Sequence, residues 1–176
     1  KILLGGNIME AIFNRRSIRK YEEKPVEKEK IEKLLRAAMQ APSAANQQPW
    51  EFIVVEDKTG LKKLSETSPY AAMVANSAVT FVLLSRKEGI PIPEITDQDM
   101  GAAAENILLE AVHLGLGAVW IGISPVEEKM NAVKDMFSLP DSIEAFALIA
   151  VGYPDGQKNV FIDRFDKTRV HYENWK

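Results

Sequence analysis

Apolar residues spaced three and four positions apart predict four helices along the chain. In the clearest one, which follows Pro25, they form a single face: Ile31, Leu34, Leu35, Ala38 and Met39. Pro42 ends this helix because the residue before a proline resists helical geometry. The same spacing recurs in segments 60–66, 98–116 and 127–137. Segment 98–116 has apolar or small residues on more than one face, which predicts a buried central helix.

Continuous apolar, β-branched runs predict four strands, at 52–55, 78–84, 118–121 and 145–151. Segment 86–98 contains Gly89, Pro91 and Pro93, which predicts an exposed loop. Helices and strands are mixed along the chain without strict alternation. This order favours the α+β class.

Composition narrows the function classes. The chain has 176 residues, a net charge of −3 and a pI of about 5.5, whereas a protein devoted to nucleic acid is usually basic. It has no cysteine and only two histidines. We therefore expect no disulfide, no thiolate nucleophile, no metal centre and no nucleic-acid partner.

No apolar run reaches the roughly 18 residues of a membrane span. Residues 1–8 contain only a short apolar stretch, too small for the core of a signal peptide. We therefore expect a cytoplasmic protein with no membrane partner. Met9 is a candidate natural start, so we interpret residues 1–8 as an N-terminal extension of uncertain origin and residues 9–176 as a single domain.

Segment 15–21 concentrates positive charge. It contains Arg15, Arg16 and Arg19, and Ser17 adds a hydroxyl. Guanidinium forks together with a small donor suit the oxygens of a phosphate. By residue type alone, a solvated basic surface is an equally good interpretation. A nucleic-acid patch is a third interpretation, which the acidic pI weakens.

Two further polar clusters follow in the sequence. Segment 42–50 is a loop between a helix and a strand, where Asn46 and Gln48 could bond to the edges of a flat heterocycle. The tail contains a basic cluster: Arg164, Lys167 and Arg169. Taken alone, the first cluster is more simply a polar loop, and the second a surface charge cluster.

Taken together, these clusters resemble the FMN-dependent nitroreductase family. Six motifs occur in the family's order, at 15–21, 42–50, 99–106, 115–122, 152–154 and 167–169. They read, in turn, Arg-Arg-Ser-x-Arg-x-Tyr, Pro-Ser-x-x-Asn-x-Gln-Pro-Trp, Asp-x-Gly-x-Ala-x-x-Asn, Gly-Leu-Gly-Ala-Val-Trp-Ile-Gly, Gly-Tyr-Pro and Lys-x-Arg. Each motif is weak by itself, whereas six in order are specific.

The resemblance implies a nitroreductase-like fold, in which a central, mainly antiparallel sheet is flanked by helices and two chains intertwine as a homodimer. FMN then lies at the dimer interface. The implied phosphate and ribityl contacts are Arg15, Arg16, Ser17, Lys167 and Arg169. Arg19 corresponds to the basic residue beside flavin N1 and O2, and Ile121 and Gly122 to the strand end near N5. The implied contacts from the loop of motif 42–50, which the other subunit supplies, are Pro42, Ser43, Asn46 and Gln48.

The activity implied by the resemblance is a ping-pong hydride transfer. NADH or NADPH reduces FMN, and a small-molecule acceptor such as a nitroaromatic compound, a quinone or a flavin then takes the electrons. Arg19 is the implied electrostatic stabiliser, and no other catalytic side chain is expected. The acidic residue that precedes the glycine in one subgroup is absent here, since Ile121 occupies that position. Alternatives are a reductive dehalogenase, a flavin-fragmenting enzyme, or a flavin- or anion-binding module without turnover.

Overall fold

Five α-helices and four β-strands run through residues 9–175, the part of the chain that the computed structural model describes. The helices are α1 (Glu10–Asn14), α2 (Lys28–Met39), α3 (Lys58–Leu64), α4 (Thr96–His113) and α5 (Glu127–Phe137). The strands are β1 (Trp50–Val55), β2 (Val79–Arg86), β3 (Gly117–Gly122) and β4 (Ile143–Gly152). The predicted extension at residues 1–8 lies outside the described residues.

The four strands form one antiparallel sheet in the order β1-β2-β4-β3. In the central pair, Val82 of β2 stands opposite Leu148 of β4. On the other side of β4, Trp120 of β3 stands opposite Ile149. This topology confirms the predicted α+β class and the antiparallel sheet flanked by helices.

The sheet separates two hydrophobic cores, because successive side chains of a strand point to opposite faces. Phe81 and Leu83 face a core that is completed by α2 and α4. Val82 and Leu84 face a second core that is completed by α3 and α5. The sheet is therefore a middle layer with helices on both faces, and its edge strands β1 and β3 are the places where other segments can dock.

The elements lie close to their predicted bounds. Helix α2 follows Pro25 and buries three residues of its predicted face, although Met39 at its end is half-exposed. Helix α5 has the predicted range. Helix α4 begins at Thr96, two residues earlier than predicted, because Pro93 starts a 3-10 turn that leads into it. Helix α1 is not predicted by the sequence pattern, since it has five residues and none of them is buried.

The basic segment 15–21 lies along β3, at the edge of the sheet. Ser17 forms a parallel bridge with Ala118, and the backbone N–H of Ile18 donates to the Ala118 carbonyl at 3.0 Å. Gly117 permits this approach, since a Cβ there would lie 2.6 Å from Cβ of Ile18. A motif glycine thus allows the basic segment to contact the strand directly.

A second motif glycine accommodates the end of this segment. A Cβ at Gly152 would lie 2.9 Å from the ring of Tyr21. Tyr21 also forms an antiparallel bridge with Pro154. Ile18 and Tyr21 are both buried. The segment is therefore anchored at two points, which places its arginines on the rim of the sheet.

Candidate functional site

Three arginines line a cavity of about 520 Å³ where the basic segment begins. Arg15 and Arg16 come from the segment itself, and Arg164 comes from the C-terminal tail. The lining contains one acidic residue, Asp163, whose carboxylate accepts a hydrogen bond from the backbone N–H of Phe165 at 3.0 Å. The rest of the lining is apolar. This arginine cavity therefore has a net positive charge and weakly hydrated walls, which favour the binding of an anion.

Arg16 has a buried nitrogen without a partner, although its Nη1 donates to the Arg15 carbonyl. Its Nε is buried and has no hydrogen-bond partner, while Nη2 donates to the Phe13 carbonyl at 3.3 Å. Burial, together with the charges of Arg164 and Arg15, lowers the pKa of the Arg16 guanidinium. Arg15 has a partial counter-ion, since its Nε lies 3.5 Å from the Glu105 carboxylate. A dianion in the cavity would satisfy Arg16 and relieve the repulsion among the three charges.

Two amides of the tail hold the basic segment from its other side. Asn159 accepts from the backbone N–H of Arg16 at 3.1 Å and donates to the Leu116 carbonyl at 3.0 Å. Gln157 accepts from the backbone N–H groups of Arg19 and Lys20 at 2.6 and 3.0 Å. The basic segment therefore lies between β3 and the tail, with Ser17 next to Ala118.

A second cavity, of about 410 Å³, lies at the end of β3. Arg19, Ile121 and Gly122 are among its lining residues, so the structure brings these three predicted site residues together. Ile121 as a whole residue is only 4% exposed, so its neighbour Gly122 is the part of this strand end that is open to a ligand. Gly122 is exposed, and a Cβ added there would meet nothing within 4 Å. The end of β3 can therefore accept a flat ligand against its backbone.

The loop of motif 42–50 carries a separate polar cluster. Ser43 Oγ accepts from the backbone N–H of Gln48 at 3.0 Å. The side-chain amide of Gln48 donates to Asn46 Oδ1 at 2.8 Å. Asn46 and Gln48 are exposed, and so is Pro42. Three predicted site residues thus form one connected surface within this loop, although neither cavity described above includes them.

Buried polar contacts hold this loop to the rest of the fold. Asp99 of α4 is 5% exposed, and its carboxylate accepts from the backbone N–H of Ala44 at 3.0 Å and from the Gln47 amide at 2.6 Å. Gln47 also exchanges hydrogen bonds with the backbone of Ile92. The Arg86 guanidinium donates to the Gln48 carbonyl at 2.7 Å. Hydrogen bonds to Asp99 and Arg86 therefore hold the inner side of the loop, whereas Asn46 and Gln48 on its outer side remain exposed.

The same loop stores backbone strain. Ala45, Asn46 and Gln48 have φ values of 47°, 53° and 44°, in the left-handed region that favours glycine. Such conformations cost about 1–3 kcal/mol each and concentrate at ligand sites. The strain supports a binding role for this loop.

The tail residues Lys167 and Arg169 lie in an exposed 3-10 turn, where Arg169 pairs with Asp166 at 3.3 Å. Neither lines the arginine cavity, whereas Arg164 does. In the sequence, Arg164 is one of three basic residues in the tail. Nothing in the sequence indicates that Arg164, and not Lys167 or Arg169, lines the same cavity as Arg16. The positioning roles of Gln157 and Asn159 have no sequence signal either, because they depend on contacts with residues more than 100 positions away.

Residues 9–175 contain no helix that is long and apolar enough to cross a membrane. In the same range, no three His, Asp or Glu side chains come close enough to hold a metal ion.

Comparison with known proteins identifies the family. The model of the Nitroreductase family matches residues 12–69 and 65–153, so the chain belongs to this family of oxidoreductases. A relative from Archaeoglobus fulgidus, provisionally named NADH dehydrogenase/NAD(P)H nitroreductase, is 42% identical over 170 residues. That alignment covers 95% of this chain and 98% of the relative.

Solved structures show the same fold. A provisionally named NADH oxidase from Clostridium acetobutylicum is 57% identical and has a TM-score of 0.93, with 94% of this chain and 99% of that chain covered. A provisionally named nitroreductase from Desulfovibrio desulfuricans, solved in complex with FMN, is 31% identical. Its TM-score is 0.82, with 97% of this chain and 99% of that chain covered. These matches confirm the family and the fold expected from the six motifs.

Proposed function

We propose that the chain is an FMN-dependent oxidoreductase that uses NADH or NADPH to reduce small acceptors such as nitroaromatic compounds, quinones or flavins. The observation that carries this proposal is the buried, unpaired Nε of Arg16 between two further arginines. Such a cluster is stabilised by a bound anion, and FMN has a terminal phosphate. The FMN complex of the Desulfovibrio relative supports the same cofactor.

The arginine cavity would hold the phosphate end. Arg15 and Arg16 offer guanidinium forks, and Ser17 follows them on the same edge of β3. Arg164 adds a third charge from the tail. Lys167 and Arg169 follow a few residues later in the same exposed tail, and we keep them as proposed contacts to the phosphate and ribityl chain.

The second cavity would hold the ring end, with Arg19 beside N1 and O2 and the backbone of Ile121 and Gly122 near N5. Bound FMN would supply hydride and electron transfer, the chemistry that this family's flavin performs. Arg19 contributes a fixed positive charge where negative charge accumulates on reduction. Besides Arg19, the titratable groups in the described lining of this cavity are Tyr70 and Lys129, and the proposed hydride transfer needs no proton from either.

A homodimer would complete the site. Asn46 and Gln48 are exposed and Ser43 beside them is half-buried, and neither cavity of the same chain includes them. We propose that these three residues contact the cofactor bound to a second copy. The clamped, strained loop is built to present these groups outward. The exposed apolar side chains of the tail provide a further reason for a second copy.

The first test is to identify the cofactor and its reduction. Protein purified and reconstituted with a flavin mixture is expected to retain FMN, which heat releases, and NADH or NADPH is expected to bleach its yellow colour without oxygen. Retention of FAD, or of no flavin, would overturn the proposed cofactor. Retained FMN that neither nucleotide bleaches would leave a binding module and overturn the proposed enzyme.

The second test examines the residue that carries the proposal. Arg16→Gln is expected to raise the Kd of FMN about tenfold or more, since a hydrogen bond to a charged group contributes about 1.5–3 kcal/mol. Arg36→Gln is the matched control, because Arg36 is an exposed arginine on α2 paired with Glu32. Its Kd is expected to equal that of the wild type. Equal Kd values for both variants would contradict the phosphate role of Arg16.

A further inference from the structure

Two residues outside every family motif form the rim of the second cavity. Tyr70 precedes the 3-10 turn 72–76, and its ring is highly exposed, at 71%. Lys129 lies in the first turn of α5, and its Nζ is 5.2 Å from the centroid of the Tyr70 ring. The same Nζ lies 3.4 Å from the carbonyl oxygen of Gly122. The Lys129 ammonium thus lies over the Tyr70 ring, next to the end of β3.

The charge of Lys129 is not balanced inside the protein. Among residues 9–175, no carboxylate oxygen lies within 4.0 Å of its Nζ, whereas Lys134 of the same helix pairs with Asp141. Within α5 the residues three and four positions further on, Ala132 and Val133, carry no charge, whereas Glu127 and Glu128 directly precede Lys129 in the first turn. The other charged residue of the cavity lining is Arg19, and the described lining includes no Asp or Glu. The described lining of this cavity therefore carries two positive charges and no negative charge.

We propose that Tyr70 and Lys129 form a subsite that selects planar aromatic electron acceptors with an anionic group, such as a carboxylate, attached directly to the ring. This inference rests on the proposed function, since it assigns the acceptor of the same site. The exposed ring of Tyr70 offers a stacking surface for the aromatic part of the acceptor. The Lys129 ammonium offers three donors to its anionic group.

The short distance between Tyr70 and Lys129 indicates which anionic ligand fits this subsite, an acidic acceptor or the diphosphate of NAD(P)H. The Nζ of Lys129 lies over the Tyr70 ring, 5.2 Å from its centroid, so an aromatic ligand that packs against the exposed part of this ring can reach Nζ only with an acid close to its own ring. A benzoate-type acceptor meets this condition. In NAD(P)H a ribose separates the nicotinamide ring from the diphosphate, which places that charge further out. The geometry therefore favours an anionic acceptor over the dinucleotide.

Binding without turnover tests the proposal directly. The oxidised, flavin-loaded protein is titrated with 4-nitrobenzoate and with 4-nitrobenzamide in a calorimeter, with no reductant present. These compounds have nearly the same shape and differ in charge. Lys129→Gln is expected to raise the Kd of the benzoate about two- to fivefold, the range for an exposed ion pair, and to leave that of the amide unchanged. Added salt should weaken benzoate binding to the wild type more than to the variant.

Two further variants separate the parts of the subsite. Tyr70→Ala is expected to raise both Kd values, because the stacking surface is lost, whereas Tyr70→Phe keeps the ring and should change neither. Lys134→Gln is the matched control, since it removes the same charge from the same helix outside the cavity. It is expected to leave both Kd values unchanged.

Turnover gives an independent readout. The ratio of kcat/KM for 4-nitrobenzoate to that for 4-nitrobenzamide cancels general losses of activity, and it should fall about two- to fivefold in Lys129→Gln. If Lys129→Gln keeps the wild-type kcat/KM ratio and the wild-type Kd values, the acceptor subsite is overturned while the proposed function stands. The same conclusion follows if Lys129→Gln slows only the reduction of the flavin by NAD(P)H. If the wild type retains no flavin or is not bleached, the proposed function itself fails, and the acceptor subsite fails with it.

Discussion

Tyr21 shows how one buried hydroxyl ties the basic segment to the sheet. Its oxygen lies 2.6 Å from the carbonyl oxygen of Ile18 and 3.2 Å from that of Ala150, and its one hydrogen is shared between these two acceptors. The side chain is buried against Gly152. Burial raises the pKa of the Tyr21 hydroxyl well above its ordinary value, and the charge of Arg19 offsets only part of this effect. The folded protein therefore favours the neutral form.

This raised pKa predicts a loss of stability in alkali. An unfolded tyrosine ionises near pH 10, so the stabilisation from Tyr21 is complete below that pH and falls as the pH rises above it. Tyr21→Phe is expected to lower the free energy of unfolding at pH 8 by about 0.5–1.5 kcal/mol and to reduce the alkaline decline. Urea denaturation from pH 8 to pH 11 measures both effects. Tyr172→Phe, which changes an exposed tyrosine, is the control, and equal alkaline slopes in both variants would contradict the prediction.

At the scale of elements, the loop between α2 and β1 depends on a contact with α4. The Asp99 carboxylate accepts two hydrogen bonds from residues 44 and 47, and Arg86 at the end of β2 holds the loop through its carbonyls. Because three residues of the loop have positive φ, these contacts keep it in a conformation that it would otherwise leave. Asp99 is thus a positioning residue for the proposed cofactor contacts Ser43, Asn46 and Gln48.

Removing the charge of Asp99 is expected to loosen this loop. Asp99→Asn keeps the shape of the side chain but replaces an acceptor oxygen with a donor, so the free energy of unfolding should fall by about 1.5–3 kcal/mol. Hydrogen exchange measured by mass spectrometry should accelerate most in peptides that contain residues 43–48. The Kd of FMN should rise in parallel.

Asp97→Asn is the control for this prediction, since Asp97 lies in the same helix but is exposed and accepts one bond, from Ser124 Oγ at 3.1 Å. It is expected to change exchange at 43–48 little. Unchanged exchange in the Asp99→Asn loop would show that Asp99 does not position it.

At the scale of the whole molecule, the C-terminal tail remains incompletely packed. Residues 155–175 contain no α-helix or β-strand, and several of their large apolar side chains are exposed, including Phe165 at 75% and Trp175 at 86%. Exposed apolar side chains grouped in one segment mark an interaction surface. We propose that a second copy of the chain covers them and brings the loop of motif 42–50 to the proposed cofactor.

We therefore expect a dimer in solution. Light scattering coupled to size exclusion should give twice the 19.7 kDa chain mass, and the double variant Phe165→Ser, Trp175→Ser should shift the mass toward the monomer at low micromolar concentration. Val126→Ser removes an exposed apolar side chain outside the tail and should leave the mass unchanged. A monomeric wild type that retains FMN would contradict both the dimer and the proposed shared site.

Much of the fold could be predicted from the sequence, because the helices and strands have apolar patterns of their own. The face of α2, the range of α5 and the four strands all follow from spacing within one segment. Helix α1 has no such pattern, since it buries none of its residues. The earlier start of α4 depends on a turn at Pro93, which the sequence presents only as part of a loop.

The sequence by itself determined the family, the six motifs and the kind of chemistry that three arginines and a serine suit. The tertiary structure decided which basic residues meet, since Arg164 and not Lys167 or Arg169 lines the cavity with Arg16. It also distinguished buried Gln47 from exposed Gln48, and it placed Lys129 beside Tyr70. The physical reason is that periodicity reports contacts within one element, whereas these pairings depend on how distant segments pack around one sheet.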